Sequence, residues 1–247
     1  MAINRLFSST SREIRPGELN EGRFASYIFT TKKNIQRKID NGEAVQFTEV
    51  GAELYSYTKD QFKNVRELLL IIGPSGSGKD TILMNLMKNK NIKSNVHFLF
   101  TVPQTYEVLK EYSEKNNIKV HSYYFNVEEQ ERLKRIINGY IKERKKLKNI
   151  KIEINDNEIK IFNQNKNKLE DITKECSDII KESKARVDRD GDIFENGIKE
   201  LSSKGFEIGR IDFTKDDIKQ ATKKFLNKLK KDIKGFNIKN ETKKSRD

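Results

Sequence analysis

The stretch GPSGSGKDT, residues 73–81, holds the densest chemistry in the chain. Gly73, Gly76 and Gly78 free the backbone to turn so that successive N–H groups point inward, and a helix starting at Lys79 adds the positive end of its dipole. With Ser75 and Ser77 between the glycines, such a cradle attracts polyphosphate, and Lys79 reaches the β- and γ-phosphates of ATP. A Ser or Thr whose hydroxyl ligates Mg2+ usually follows the Lys. Here Asp80 stands in that place with Thr81 next, so the metal is expected on the Thr81 hydroxyl or, through water, on the Asp80 carboxylate, Thr81 being preferred.

The flanking pattern supplies what such a loop needs. Leu68–Ile72 is a short apolar run suited to a strand buried on both faces, and a helix follows the glycines. VHFLFTVPQ and KVHSYYFNV read as further strands, each followed by a helical stretch, over 104–116 and 127–147. The β-α alternation predicts an α/β fold: a parallel sheet of the P-loop NTPase type with covering helices. Ahead of it, residues 3–10 read as a strand, Pro16-Gly17 as a turn, TKKNIQRKIDNG as a short helix capped by Thr31, EAVQFTEVGAELYSY as two strands, and TKDQFKN as a helical turn behind Thr58. Residues 148–170 break the rhythm: NIKIEINDNEIKIF alternates Ile with polar residues around NDN, a β-hairpin pattern, and NQNKNKLED is a polar connector. Helices at about 168–186 and 190–204, a strand in FEIGRIDF and a closing amphipathic helix complete the core. The divisions expected are an acceptor lobe over 1–64, a kinase core over 65–238 with an insertion at about 130–190, and a disordered basic tail over 239–247.

The chain has 247 residues, a net charge of +13 and a charged fraction of 35%. Its partners are expected to be anionic, which covers nucleotides, nucleic acid and acidic surfaces alike; biased coding toward Lys, Asn and Ile accounts for the surplus equally well. The single Cys176 cannot close an internal disulfide and no Cys/His cluster has metal-ligand spacing, so a reducing, cytoplasmic setting is expected. No stretch approaches the roughly 18 apolar residues of a membrane span, and MAINRLFSSTSR has no apolar leader segment. Oligomeric state is not legible.

The N-terminal segment resembles the substrate lobe of the guanylate kinases. SSTSREIRPGE, SYIF and GEAVQFTEVGAELYSYT are similar to that family's T-T-R-x-P-R-x-G-E, D-Y-x-F and G-x-x-x-E…Y-G-T/S stretches, which in the family follow the phosphate loop and here precede it. The resemblance implies that Arg12 and Arg15 clamp the phosphate of a nucleoside monophosphate, with Ser8, Tyr27 and Tyr55 donating hydrogen bonds. Guanidinium forks and hydroxyls suit that dianion, which must lie in line with the γ-phosphate of ATP. YYFNVEEQERLKRI and SKARVDRD look like the family's arginine-bearing lid, which makes Arg132, Arg135, Arg186 and Arg189 candidates for stabilising the transferring phosphoryl group. FLFTVPQTYEVLKEY sits where the family has L-D-I-D-V-Q-G, and the family's base-selecting acids fall on Gln46 and Thr101, which leaves the base open. The Lys-Asp pair at 79–80 also resembles the ribose 1,5-bisphosphate kinases, so a phosphorylated sugar is an alternative acceptor. An inactive guanylate-kinase-like binding module and a nucleic-acid-directed protein are the remaining readings.

Overall fold

Leu68, Leu69, Leu70, Ile71 and Ile72 are each fully shielded from solvent. Successive strand residues point to opposite faces, so a strand apolar at every position needs a layer on both sides. The computed structural model of the chain, which describes residues 3–14, 25, 27–143, 150–155, 158–163 and 169–238, supplies both layers. In chain order the elements are β1 (Asn4–Arg5), β2 (Ser9–Thr10), β3 (Ile28–Phe29), α1 (Lys32–Asp40), β4 (Ala44–Val50), β5 (Glu53–Thr58) and a 3-10 turn (Lys59–Phe62). They continue with β6 (Glu67–Ile72), α2 (Lys79–Lys88), β7 (Ile92–Lys93), β8 (Val96–Thr101), α3 (Pro103–Lys115), β9 (Lys119–Asn126) and α4 (Glu129–Glu143). The last are β10 (Ile150–Asn155), β11 (Glu158–Asn163), α5 (Leu169–Ser203), β12 (Gly209–Asp212), α6 (Ile218–Asp232) and β13 (Asn237–Ile238).

Five strands form a parallel sheet in the order β1-β8-β6-β9-β12, with β6 bonded to β8 on one side and β9 on the other. Leu69 and Ile71 pack with Ile82, Leu83 and Leu86 of α2 and Phe225 and Leu229 of α6. Leu68, Leu70 and Ile72 pack on the opposite face with Tyr106 and Leu109 of α3 and Phe194 and Leu201 of α5. This is the α/β architecture that the β-α alternation predicts, a parallel sheet with covering helices, and it is consistent with a P-loop kinase-like fold. A smaller mixed sheet, ordered β3-β2-β5-β4, carries α1. Its local signals are met: the Thr31 side chain accepts from the Asn34 N–H at the start of α1, and Thr58 and Gln61 form a reciprocal capping box on the 3-10 turn. Tyr57 and Phe62 from this region join the same apolar cluster as Leu68 and Leu70, so lobe and sheet share part of one core.

The structure departs from the sequence reading in three places. Residues 3–10 are two short strands in different sheets. Ile3 is buried on the α2 face of the large sheet and Leu6 on the α3 face, with the Leu6 N–H donating to the Phe98 carbonyl at 2.8 Å. The start of the region assigned to the lobe, residues 1–64, therefore includes a core strand. The helices expected at 168–186 and 190–204 are one helix, α5. Ser183, Val187, Asp190 and Phe194, all buried, recur at helical spacing across Gly191 and carry the inward stripe through the expected break. Finally, β13 pairs antiparallel with β7, two-residue strands too short to show a period. The hairpin expected in NIKIEINDNEIKIF is present as β10–β11, and the tail 239–247 lies outside the described residues. Among the described residues no helix is long and apolar enough to cross a membrane.

Candidate functional site

The loop between β6 and α2 closes on itself. Gly76 and Gly78 hold φ of +79° and +82°, left-handed values that strain a residue with a Cβ, and Gly78 is the N-cap of α2. A Cβ on Gly76 would lie 2.8 Å from the Arg132 carbonyl oxygen, and one on Gly73 would lie 2.9 Å from Ser77 Oγ. Ser77 is fully buried, and its Oγ has no hydrogen-bond partner among the described residues. Leaving a buried hydroxyl unmatched costs about 1–3 kcal/mol, a cost that a hydrogen-bond acceptor held in the loop would remove. Lys79 Nζ donates to the Pro74 carbonyl at 3.3 Å, folding back along the loop. Burial pushes the Lys79 pKa below its ordinary 10.5; the Asp80 and Asp190 carboxylates oppose that shift, and the Arg186 and Arg5 guanidiniums add to it. An arriving phosphate would reverse it.

Helices α4 and α5 cover the same loop. The Ser75 N–H donates to Asp190 Oδ2 at 2.7 Å, and Arg186 Nε donates to Ser75 Oγ at 2.8 Å. A carboxylate therefore sits on an amide that could receive a phosphate oxygen. Arg132 is buried behind Gly76; its Nη2 lies 3.5 Å from the Val187 carbonyl, and its Nη1 has no partner among the described residues. Arg135 donates to Glu131 and, through Nη2, to the carbonyls of Phe213 and Asp216 at 3.0 and 3.2 Å. That ties it to the segment leading into α6, about 4 Å from where a Gly78 side chain would stand. Arg189 is exposed, with Nε 3.9 Å from Asp190 Oδ1. Of the four arginines read from the sequence, Arg186 touches the loop directly, Arg132 backs it, Arg135 braces it from one side, and Arg189 lies in solvent.

The lobe brings the second set together. Arg12 is buried, its guanidinium on the rings of Tyr27 at 4.7 Å and Phe29 at 5.5 Å, and Nη1 donates to the Glu13 carbonyl at 2.8 Å. Tyr27 and Tyr55 meet edge to face at 6.0 Å. Burial raises the Tyr27 pKa, Asp80 raises it further, and Arg12 and Arg5 lower it, so the phenol keeps its proton at neutral pH and stands in the field of both the lobe and the loop. Tyr57 is held in the same way, its hydroxyl donating to the Phe100 carbonyl at 2.8 Å and its pKa raised by burial. Ser8 is buried and donates to the carbonyls of Ser9 and Ser56. Arg15 lies outside the described residues. Gln46 and Thr101 are both buried; Gln46 Nε2 donates to Thr48 Oγ1 at 2.7 Å, and Thr101 Oγ1 shares a hydrogen bond with Thr105 Oγ1 at 2.8 Å. Thr81 and Asp80 are exposed in the first turn of α2.

Arg5 joins the two sides. It stands on β1 with its guanidinium on the Phe100 ring at 4.6 Å, and its Nη1 lies 3.8 Å from Asp80 Oδ1; Lys79 Nζ is 5.9 Å from the centre of the same ring. The sequence reading missed both Arg5 and Asp190. An isolated Arg in a strand pattern carries no local signal, whereas Arg186 and Asp190 are four residues apart in SKARVDRD and share a helix face.

No family model matches the chain, and no curated protein matches it. Among solved structures, a guanylate kinase from Anaplasma phagocytophilum is similar over 94% of this chain and 78% of its own, at 16% identity and a TM-score of 0.43. A likeness of that size says nothing of activity, and the functional reading rests on the site itself.

Proposed function

We propose that this chain is an ATP-dependent nucleoside monophosphate kinase, taking GMP, dGMP or another (d)NMP as acceptor, with the acceptor lobe placed ahead of the phosphate loop in a guanylate-kinase-like arrangement. One observation carries the reading: the glycine loop with Lys79 and the buried Arg12 with its partner ring Tyr27 lie in one charged neighbourhood, joined by Asp80 and Arg5. That neighbourhood is suited to two anions rather than one.

The loop amides and Lys79 hold the donor phosphates of ATP, and the orphaned Ser77 hydroxyl gains an acceptor. Arg12 and Tyr27 hold the acceptor phosphate, joined by Tyr55 and Ser8; Arg15, which the resemblance adds to this set, lies outside the described residues. Its oxygen is already anionic, so orientation and charge stabilisation suffice and no general base is needed. Arg186 and Arg132, beside Ser75 and Gly76, are placed to offset charge on the γ-phosphoryl group as it moves. Arg135 and Arg189 belong to the same set at longer range. Asp80 and Thr81 offer one oxygen ligand each on an open helix turn beside the loop, a donor set that fits Mg2+, which keeps several waters and takes its other ligands from phosphates. Mg2+ bound there would neutralise the donor phosphates.

A panel of (d)NMPs with ATP–Mg2+ tests the reading by ADP release. Release above the Lys79→Ala background with at least one acceptor supports it, and none with any acceptor removes it. A phosphorylated sugar is the second acceptor class, favoured by a specific observation. Gln46 and Thr101, the positions matched to base selection, spend hydrogen bonds on Thr48 and Thr105. Including ribose phosphates in the panel separates the two.

A further inference from the structure

We propose that Arg5 is a ligand for the acceptor phosphate: a guanidinium supplied by the core sheet that, with Arg12 from the lobe, receives the phosphate of a phosphomonoester. This rests on the kinase reading and adds to it a recognition group that the N-terminal resemblance does not contain.

The Arg5 side chain is only 7% exposed, yet its Nε has no hydrogen-bond partner among the described residues. Its Nη1 makes one long contact to the Ala25 carbonyl, at 3.3 Å, and stands 3.8 Å from Asp80 Oδ1. The second distance is an ion pair without a hydrogen bond, and Asp80 itself is 62% exposed. A buried guanidinium normally spends its fork on a carboxylate or phosphate. This one has one distant, solvated carboxylate, an aromatic floor formed by Phe7 and Phe100 at 5.5 and 4.6 Å, and an unspent Nε.

Its position selects the ligand. Lys79 Nζ lies over the same Phe100 ring, which puts the Arg5 charge beside the donor loop. Ala25, which it contacts, and Tyr27, whose phenol it influences, belong to the lobe on the other side. Around the Lys79 ammonium, among the described residues, stand the guanidiniums of Arg5 and Arg186 and the carboxylates of Asp80 and Asp190, so three cations meet two anions there. A phosphate between Arg5 and Arg12 would offset that excess and accept a hydrogen bond from the Arg5 Nε–H. Asp80, 3.8 Å from Arg5, also offsets the repulsion between Arg5 and Lys79.

The test uses the full chain as wild type, Arg5→Gln and Arg5→Lys, with calorimetric titration of ADP–Mg2+ first, then of inorganic phosphate and 5′-GMP into ADP–Mg2+-saturated protein. The expected result is an ADP dissociation constant unchanged within about twofold. Phosphate should weaken at least tenfold in Arg5→Gln and about threefold in Arg5→Lys, where a point charge replaces the fork, with GMP following wherever it binds. Where turnover is present, the same substitutions should raise the acceptor KM and leave the ATP KM alone. Unchanged phosphate affinity in both variants overturns the proposal, as does an ADP loss equal to the phosphate loss, which would make Arg5 a donor-side or purely structural group. If Arg5→Gln does not fold, unchanged phosphate affinity in Arg5→Lys overturns it alone. Wild type that binds ADP but no phosphate also overturns it, whereas wild type that binds no ADP defeats the kinase reading instead.

Discussion

Replacing Asp190 by Asn should tighten nucleotide binding. The Asp190 carboxylate accepts from the Ser75 N–H at 2.7 Å, and a phosphate oxygen can take that amide only when the carboxylate leaves. A hydrogen bond to a charged group contributes about 1.5–3 kcal/mol and a neutral one about 0.5–1.5 kcal/mol. Asn keeps an acceptor oxygen and loses the charge, so displacing it is easier by about 1–1.5 kcal/mol. At 1.4 kcal/mol per factor of ten, this is roughly a tenfold tighter dissociation constant for ADP. Removing the carboxylate also removes its repulsion of the polyphosphate, which acts in the same direction. Calorimetric titration of ADP in EDTA reads the loop without metal, and thermal unfolding of the free protein gives the reverse sign: a Tm lower by about 2–4 °C, since the contact is lost in the ligand-free state. Unchanged or weaker ADP binding in Asp190→Asn would refute the argument, for it would mean that Asp190 cooperates with the nucleotide rather than standing in its place.

Three further outcomes follow from the same geometry. Gly76→Ala combines a φ of +79° with a Cβ 2.8 Å from the Arg132 carbonyl; it should cost about 1–3 kcal/mol and lower ADP affinity, read by denaturant unfolding and calorimetry. Lys79 has a pKa lowered by burial, so between that value and 10.5 the unfolded chain holds more protons than the folded one, and the stability of the free protein should rise with pH through the window. ADP favours the protonated lysine, so its affinity should fall over the same window with uptake of a proton, and Lys79→Met should abolish both trends. Gly197 on α5 would place a Cβ 2.3 Å from Pro103 Cβ at the start of α3. Gly197→Ala should therefore lower the Tm by several degrees, and an unchanged Tm would show that the two helices do not pack so closely.

Much of the fold was legible because local chemistry and tertiary need agree. Leu68–Ile72 is apolar at every position and lies at the centre of the sheet, and Thr31 and Thr58 stand at the N-caps of the helix and the turn they predict. The loop residues Gly73–Thr81 were readable from spacing, since only glycine tolerates the backbone at 76 and 78. What escaped depends on partners far along the chain. Arg5 meets Asp80 across 75 positions and Ser75 meets Asp190 across 115, and no local pattern encodes either meeting. The break expected between 186 and 190 is overridden by the buried stripe through Val187, Asp190 and Phe194.

The central claim is that two phosphate pockets face each other, and the binding of one molecule that fills both tests it most directly. A dinucleotide joining adenosine and guanosine through five phosphates, titrated into the full chain, should bind at least a hundredfold more tightly than ATP, because the second contact becomes intramolecular. Both Lys79→Ala and Arg12→Ala should erase that advantage. Binding no tighter than ATP, with Arg12→Ala indistinguishable from wild type, would contradict the account.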